Sequence, residues 1–310
     1  MSTALALFSA LVLPGVASGL NIKSERPPIM FQDRWGQWQL LRGELDIFMH
    51  HIPDHNVVAC GCGKCGSTSM WNFIYEKEFG QVWPYKGDPY VQDVTSERWN
   101  GKVIHERDEE AQAEIMNKSF SFALIRDPKE RLISSWKSKV ACQGELYGTD
   151  VLTREFFTQR LLQTAGQGPS AKVPCLSLQQ FLEALQKVFN LERERFLDRH
   201  FLPQSYGCFF KYPPEQWSVV ATVRNNTAFD QLAGRFGARG GGLPYEHAST
   251  ARVEVTPEAL RLLDNITAAE YEMLGDYLPQ QPIAQAGVYL EESMNDADAS
   301  TWRLLLPDDI

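Results

Sequence analysis

Residues 56–75 read NVVACGCGKCGSTSMWNFIY, and this stretch decides the fold. It opens with an apolar run at residues 57–60, which predicts a short buried strand. It closes with Met70, Phe73 and Ile74 at helical spacing, which predicts one buried helix face. Between them lie glycines, one lysine and three consecutive hydroxyl residues. The stretch is therefore predicted to form a strand, a glycine-rich turn and a helix.

The turn has the composition of an anion-binding loop. Backbone N–H groups at the start of a helix are unpaired, and the positive end of the helix dipole lies beside them. The candidate binding residues are Lys64, Cys65, Gly66, Ser67, Thr68 and Ser69. The alternative is a plain tight turn whose glycines only allow positive φ. That alternative gives Lys64 no packing purpose, so anion binding is the preferred interpretation.

Three metal-dependent alternatives exist for the same loop. A Walker A loop requires Gly-Lys-Ser/Thr, whereas Cys65 follows Lys64 here, which disfavours a magnesium-dependent NTPase. A kinase-like phosphoryl transferase would also need paired acidic metal ligands, and none is evident. Three histidines and three cysteines lie within sixteen residues, at 50–65, but their spacing matches no usual zinc pattern. No metal is expected.

A second strand, turn and helix are predicted at residues 119–140, SFSFALIRDPKERLISSWKSKV. The FALI run suits a sheet covered on both faces. Asp127 fits as an N-cap, Pro128 as the first helical residue and Glu130 as the reciprocal partner of a capping box. Arg126 at the strand end and Ser134 on the helix could then grip a second phosphate group. The alternative is ordinary surface charge on a capped helix.

The rest of the chain continues the alternation of strands and helices. Ser177 and Gln180 predict the start of a helix, and WSVVATV at 217–223 predicts another buried strand. Such alternation favours an α/β fold with a P-loop-like parallel sheet flanked by helices on both faces. The tail at 280–310, rich in Pro, Gln, Asp and Ala, is predicted to be extended or disordered.

Composition and the N-terminus predict the cellular compartment. The net charge of −9 leaves no global field that would draw the chain onto nucleic acid, so an anion site must be local. Residues 1–19 are predicted to be a signal peptide, because an apolar stretch broken by Pro14 and Gly15 ends in small residues. We therefore expect the secretory pathway, Golgi lumen or secreted, with no stable membrane span once the signal is removed.

Glycosylation sequons and cysteines are compatible with that compartment. The sequons are at Asn117, Asn225 and Asn265. Six cysteines form two groups, one around the loop and a second made of Cys142, Cys175 and Cys208. One pair in the second group is expected to form a disulfide in an oxidising lumen, leaving one cysteine over.

Together the two motifs resemble those of the sulfotransferases, and within them the carbohydrate sulfotransferases of the Golgi. The family's first motif usually reads Pro-Lys-x-Gly-Thr/Ser-Thr, and here GKCGSTS at 63–69 has Gly63 in place of the proline. The second, Arg-Asp-Pro-x-x-Arg-x-x-Ser, is matched in full by RDPKERLIS at 126–134. Weaker similarity continues through DRHFLPQSYGC, VVATVRNN and ITAAEYEML, with Arg224 where the family often carries glutamate.

The resemblance implies a sulfotransferase domain at 20–279 with the sulfotransferase fold and the donor 3′-phosphoadenosine 5′-phosphosulfate (PAPS). It implies that the first loop holds the 5′-phosphosulfate, while Arg126 and Ser134 hold the 3′-phosphate. In-line transfer places charge on the leaving phosphate, which Lys64 can stabilise without a metal. The implied acceptor is a glycan or another hydroxyl-bearing molecule. A catalytically silent nucleotide- or glycan-binding protein of the same fold is the alternative.

The general base is predicted from GKVIHERDEE at 101–110, which lies between the two motifs. Val103 and Ile104 suggest a strand that delivers His105 to its carboxyl end, where open α/β sheets bind ligands. In some sulfotransferases that resemble this chain a histidine in this interval is the base, and Glu106 is the second candidate. His200 is interpreted as structural or as positioning the acceptor. An ordinary hydrogen-bonded histidine at position 105 is the alternative.

Overall fold

The computed structural model describes residues 29–32, 38–41, 49–83, 102–103, 109–142, 151–168, 173–240, 243, 253 and 255–279. The chain divides into two compact units, residues 1–42 and residues 43–310. The described part of the first unit is an antiparallel pair of strands, β1 (Ile29–Gln32) and β2 (Trp38–Leu41). Both predicted anion-binding motifs lie in the second unit.

The second unit contains a five-stranded sheet. Its strands are β3 (Met49–Ile52), β4 (Val57–Gly61), β5 (Lys102–Val103), β6 (Phe120–Ile125) and β7 (Val219–Thr222). The order across the sheet is β5-β3-β4-β6-β7. Strands β4, β6 and β7 are parallel, which confirms the predicted parallel arrangement for the centre of the sheet.

The parallel prediction is wrong for β3, which is antiparallel to both β4 and β5. Only residues 53–56 connect β3 to β4, with a single 3₁₀ turn and Asn56 in the left-handed region at φ 50°. A parallel connection needs a dozen or more residues, so such a short link can only reverse the chain. Because two reversals restore the direction, β5 runs the same way as β4.

The described residues form seven α-helices. They are α1 (Ser67–Phe79), α2 (Glu109–Lys118), α3 (Pro128–Lys139), α4 (Val151–Thr164), α5 (Leu178–Asn190), α6 (Asn226–Arg235) and α7 (Pro257–Leu274). The predicted cap of α5 is confirmed, since Ser177 and Gln180 form a reciprocal capping box. None of these described helices is both long and apolar enough to cross a membrane.

Helices cover both faces of the sheet, as the α/β prediction requires. On one face, α1 and α6 pack through a cluster that includes Phe73, Phe122 and Phe229. On the other face, α2, the end of α7 and residues 208–217 pack around Ala123 and Ile125. A third cluster joins α3, α4, α5 and α7 to one another. Helix α3 therefore links the sheet edge to a separate helical core.

Candidate active site

The two motifs meet at one edge of the sheet because they follow adjacent parallel strands. Gly61, the last residue of β4, pairs with Leu124 near the end of β6. The loops that follow must therefore emerge side by side. They are in direct contact, since Arg126 Nη1 donates a hydrogen bond of 3.4 Å to the carbonyl oxygen of Lys64.

The first loop is strained in a way that suits close approach of a ligand. Lys64 has φ 67° and Gly66 has φ 88°, both in the left-handed region. A Cβ on Gly66 would clash with Val223 Cγ1, so glycine is required there for space as well as for conformation. Lys64, Gly66, Ser67 and Thr68 are partly exposed, whereas Cys65 and Ser69 are buried.

Helix α1 begins without a side-chain cap. Gly66 occupies the N-cap position and has no side-chain oxygen to offer to the first turn, which contains Ser67, Thr68 and Ser69. The first N–H groups of any α-helix have no intrahelical acceptor, and the helix dipole adds positive potential there. With Lys64 two residues earlier, this turn can bind an anion such as a phosphate or a phosphosulfate.

Three disulfides involve all six cysteines. They are Cys60–Cys208, Cys62–Cys65 and Cys142–Cys175, with Cα separations of 5.7, 5.3 and 5.3 Å. The third is the pair expected within the second group. The expectation of a leftover cysteine is wrong, because Cys208 reaches Cys60 across 148 residues of sequence. The loop cysteines therefore cannot serve as thiolate ligands of a metal.

The histidines near the loop are engaged in aromatic contacts. His50 lies edge-on to Trp71 with a centroid separation of 4.9 Å, and His55 packs on Phe236 at 4.5 Å. Within the part of the chain that the structure describes, no three histidine, cysteine or acidic side chains are grouped as a metal site would require. The histidines at 50 and 55 are thus explained by packing.

Two arginines, Arg126 of the second motif and Arg224 after β7, share one carboxylate. Arg126 Nε donates to Glu130 Oε2 at 3.0 Å, and Arg224 Nη2 lies 3.8 Å from Glu130 Oε1. Glu130 was predicted to complete a capping box, but its carboxylate bonds Arg126 instead. Arg224, the departure from the usual family pattern, follows β7, so its charge is added at the same sheet edge. Ser134 is partly exposed, and its hydroxyl bonds to no other described residue.

Asp127 caps helix α3 and also bonds to helix α7. Asp127 Oδ1 accepts a hydrogen bond of 3.0 Å from the Glu130 N–H, which confirms the predicted N-cap. Its other oxygen accepts a short hydrogen bond from the Tyr271 hydroxyl. Burial raises the pKa of Asp127, and the two hydrogen bonds partly offset that effect. The first turn of α3 thus has a side-chain cap from the protein itself.

Gln204 was not predicted, yet it touches both motifs. Its buried amide Nε2 donates to the Arg126 carbonyl at 2.8 Å, and its Oε1 accepts from the Arg126 N–H at 3.1 Å. The same Oε1 lies 3.4 Å from Cys65 Sγ. The Gln204 N–H donates to Glu270 on α7 at 2.6 Å. The family resemblance of the segment DRHFLPQSYGC pointed to this region, but it did not identify Gln204 as the residue that bonds to both motifs.

The base candidates differ in what the structure describes. His105 and Glu106 lie outside the described residues, so their assignment stays a prediction; the strand expected before them is present as β5, which ends at Val103. His200 lies against the first loop, where a Cβ on Gly63 would be 3.4 Å from His200 Cδ2. The sequence interpretation gave His200 a structural or acceptor-positioning role and did not specify a contact with this loop.

The arrangement offers donors for two anionic groups at one sheet edge, from an uncapped helix start with Lys64 and from the arginines after β6 and β7. The family model described as the sulfotransferase family matches residues 49–273, well over half of the chain and both motifs. No curated protein and no solved structure matches the chain. This chain belongs to the sulfotransferase family.

Proposed function

We propose that this protein transfers the sulfuryl group of PAPS to a hydroxyl group, and that the acceptor is a carbohydrate. The observation that carries the proposal is the contact between the uncapped start of α1 and the arginine after β6, with Arg126 Nη1 3.4 Å from the Lys64 carbonyl. Two adjacent anion sites suit a nucleotide that carries a 5′-phosphosulfate and a 3′-phosphate.

The first loop would receive the 5′ end of the donor. Backbone N–H groups of the first turn of α1 bind its oxygens, together with the hydroxyls of Ser67 and Thr68. Lys64 neutralises the charge that develops on the leaving phosphate as the sulfur–oxygen bond breaks. Because this charge is largest in the transition state, the lysine acts on rate more than on affinity.

The second motif would hold the 3′-phosphate. Arg126 supplies a guanidinium that can bind a phosphate with two parallel hydrogen bonds, and Ser134 supplies a hydroxyl one helix turn beyond Glu130. The carboxylate of Glu130 keeps Arg126 oriented until the phosphate arrives. Arg224 adds positive charge on the β7 side.

Secretory localisation is part of the proposal. It is supported by the apolar N-terminal segment with its small-residue end and by three disulfides, because disulfides persist in oxidising compartments. A glycan acceptor suits that compartment and the resemblance of the motifs to those of carbohydrate sulfotransferases.

The test is transfer of radiolabelled sulfate from PAPS to unsulfated chondroitin, heparosan and desulfated dermatan, with product mapping. Calorimetry with 3′,5′-adenosine bisphosphate measures donor-site binding independently. We expect tight bisphosphate binding and labelling of at least one polysaccharide. Binding without transfer to any hydroxyl acceptor would favour the silent binding protein, and absence of binding would contradict the proposal altogether.

A further inference from the structure

His200 is held at every polar atom except one. Its N–H donates to Asp198 Oδ1 at 2.9 Å, and its Nδ1 lies 2.5 Å from the same oxygen. Its carbonyl oxygen accepts from Ser135 Oγ at 2.6 Å and from Arg131 Nη1 at 3.2 Å. Ser135 and Arg131 belong to α3, the helix of the second motif. Only Nε2 has no hydrogen bond to a described residue.

The imidazole lies directly on the first loop. A Cβ on Gly63 would be 3.4 Å from both the Cα and the Cδ2 of His200. Cδ2 is bonded to Nε2, so the ring edge beside the loop is the edge that ends in Nε2. Gly63 immediately precedes Lys64. Phe157 supports the ring edge-on, with centroids 5.7 Å apart, and 18% of the His200 side chain remains exposed.

The charges around His200 favour a neutral ring with a lone pair on Nε2. Burial lowers the pKa of His200; Asp198 opposes this, and Lys139 and Arg199 add to the lowering. Burial raises the pKa of Asp198, but the hydrogen bonds and charge of His200, with Arg160, outweigh it and lower the pKa to about 2. An ionised Asp198 can only accept, so Nδ1 carries the proton and Nε2 is unprotonated.

We propose that His200 is the general base of the transfer reaction and that Asp198 is its positioning residue. The proposal rests on the sulfotransferase function proposed above. The proton of the acceptor hydroxyl goes to Nε2 as the acceptor oxygen forms its bond to sulfur. The bond between sulfur and the bridging phosphate oxygen breaks, and the electron pair leaves with the bisphosphate beside Lys64. Asp198 stabilises the imidazolium until its proton passes to solvent.

Geometry distinguishes this histidine from other buried ones. A structural histidine commonly forms hydrogen bonds with both ring nitrogens. In His200 only Nδ1 does so, and Nε2 lies on the ring edge beside the donor loop, while three elements fix the rest of the residue. An Asp–His pair with the second nitrogen directed at the reacting group is a recurrent arrangement for activating a hydroxyl. His105, predicted from the sequence, is the competing base, and the experiment decides between them.

The experiment measures kcat/KM against pH with labelled PAPS and the polysaccharide of the panel that the wild-type protein sulfates fastest. His200→Asn retains a donor for Asp198, so the fold is expected to persist, while kcat falls by about 10²–10⁴-fold. Bisphosphate affinity, measured by calorimetry, should change little. His55→Asn is the matched control, since His55 packs on Phe236 away from the donor loop, and it should leave rate and pH profile unchanged.

Asp198→Asn gives a signature that a structural role would not produce. The carboxylate raises the pKa of His200, so its removal should move the acidic limb of the profile to lower pH and reduce kcat. His105→Ala should keep the acidic limb. Asp198→Asn also tests the proposal if His200→Asn fails to fold, because an acidic limb that does not move in Asp198→Asn overturns the proposal.

Three further results would overturn the assignment. His200→Asn could keep its rate and its acidic limb, or it could lose rate only through weaker bisphosphate binding. Alternatively, His105→Ala could abolish the limb, which would assign the base to His105. A wild-type protein that binds bisphosphate but sulfates no polysaccharide would overturn the proposed function as well, whereas an active wild type with an unaffected His200→Asn overturns this inference alone.

Discussion

Helices α1 and α3 start at the same edge of the sheet, after adjacent parallel strands, yet their first turns are opposites. Helix α1 begins after Gly66, which has no side chain that could cap it. Helix α3 begins after Asp127, whose two oxygens accept from the Glu130 N–H and from Tyr271. One helix start has no side-chain cap, and the other is capped by the protein's own carboxylate.

The difference teaches how one nucleotide with two anionic groups can be bound in two ways. In the proposed function, the backbone at the start of α1 binds one anionic group, which takes the place of the missing side-chain cap. At α3 Asp127 already caps the helix, so the proposed 3′-phosphate is bound by side chains, namely Arg126 and Ser134. Mutations should accordingly affect catalysis at the first site, affinity at the second, and stability at the cap.

The largest effect is expected at Lys64. Lys64→Ala should reduce kcat by about 10²–10³-fold, because it removes a preorganised charge beside the leaving group. Donor affinity should fall much less. Steady-state kinetics with calorimetry of the bisphosphate separates the two effects, and Lys118→Ala, an exposed lysine paired with Glu114, is the control. A near-normal kcat in Lys64→Ala would assign the charge compensation elsewhere.

The second-largest effect is expected for Arg126→Ala, which should lower the affinity for the 3′,5′-bisphosphate. Hydrogen bonds to charged groups contribute about 1.5–3 kcal/mol, so 3′,5′-adenosine bisphosphate should bind about 10- to 150-fold more weakly. Adenosine 5′-phosphosulfate, which lacks the 3′-phosphate, should bind almost unchanged. Arg261→Ala, in an exposed pair with Glu258, is the matched control. Equal loss for both ligands would mean that Arg126 does not read the 3′-phosphate.

Asp127 should affect stability and leave the donor sites intact. Asp127→Ala removes the N-cap, which costs about 1–2 kcal/mol in the free energy of unfolding, measured in urea. Asp127→Asn should lose less, because its amide can still bond both partners. Donor affinity of the folded variants should stay within about 3-fold. Loss of bisphosphate binding without loss of stability would contradict the division between the two helix starts.

The raised pKa of Asp127 predicts that the free energy of unfolding depends on pH. Burial raises the folded pKa of Asp127 above its ordinary value, so the folded protein binds this proton more tightly than the unfolded chain. This contribution to the free energy of unfolding is therefore present at low pH and declines as pH rises through the folded pKa. In Asp127→Asn the decline should disappear, and an unchanged profile would show that other groups govern it.

The smallest effect is expected at Ser134. A hydrogen bond from a neutral hydroxyl contributes about 0.5–1.5 kcal/mol, so Ser134→Ala should weaken bisphosphate binding about 2- to 12-fold. Ser135→Ala is the adjacent comparison: this buried hydroxyl bonds the carbonyls of Arg131 and His200. It should lower stability while leaving bisphosphate affinity less affected. The reverse ranking would place the 3′-phosphate contact at Ser135.

Local chemistry made the two motifs predictable. An apolar run followed by glycines indicated β4 and the start of α1, and the Asp-Pro pair indicated where α3 begins. Each signal lies within a few residues of what it determines, because strand burial and helix capping are short-range properties. The starts of α3 and α5 were consequently located within one or two residues.

Long-range pairing was not predictable in the same way. Strand β3, MHHI, has little apolar character of its own and is defined by its pairing with β4. Glu130 satisfied the sequence rule for a capping box, but a nearby arginine competes more strongly for its carboxylate. The roles of His200 and Gln204 arise only when the chain returns to the sheet edge, 78 residues after Arg126 in the case of Gln204.

The Gln204 side chain acts as one more rung of the sheet, since its amide bonds both the N–H and the carbonyl of Arg126 just past the end of β6. These two hydrogen bonds break when the segment around Gln204 detaches, and the strands of the sheet need not separate. Deuterium exchange at the Arg126 amide should therefore report undocking of the segment around residue 204, on a different timescale from exchange at the Leu124 amide. That single amide could serve as a probe of how often the two donor sites lose their common support.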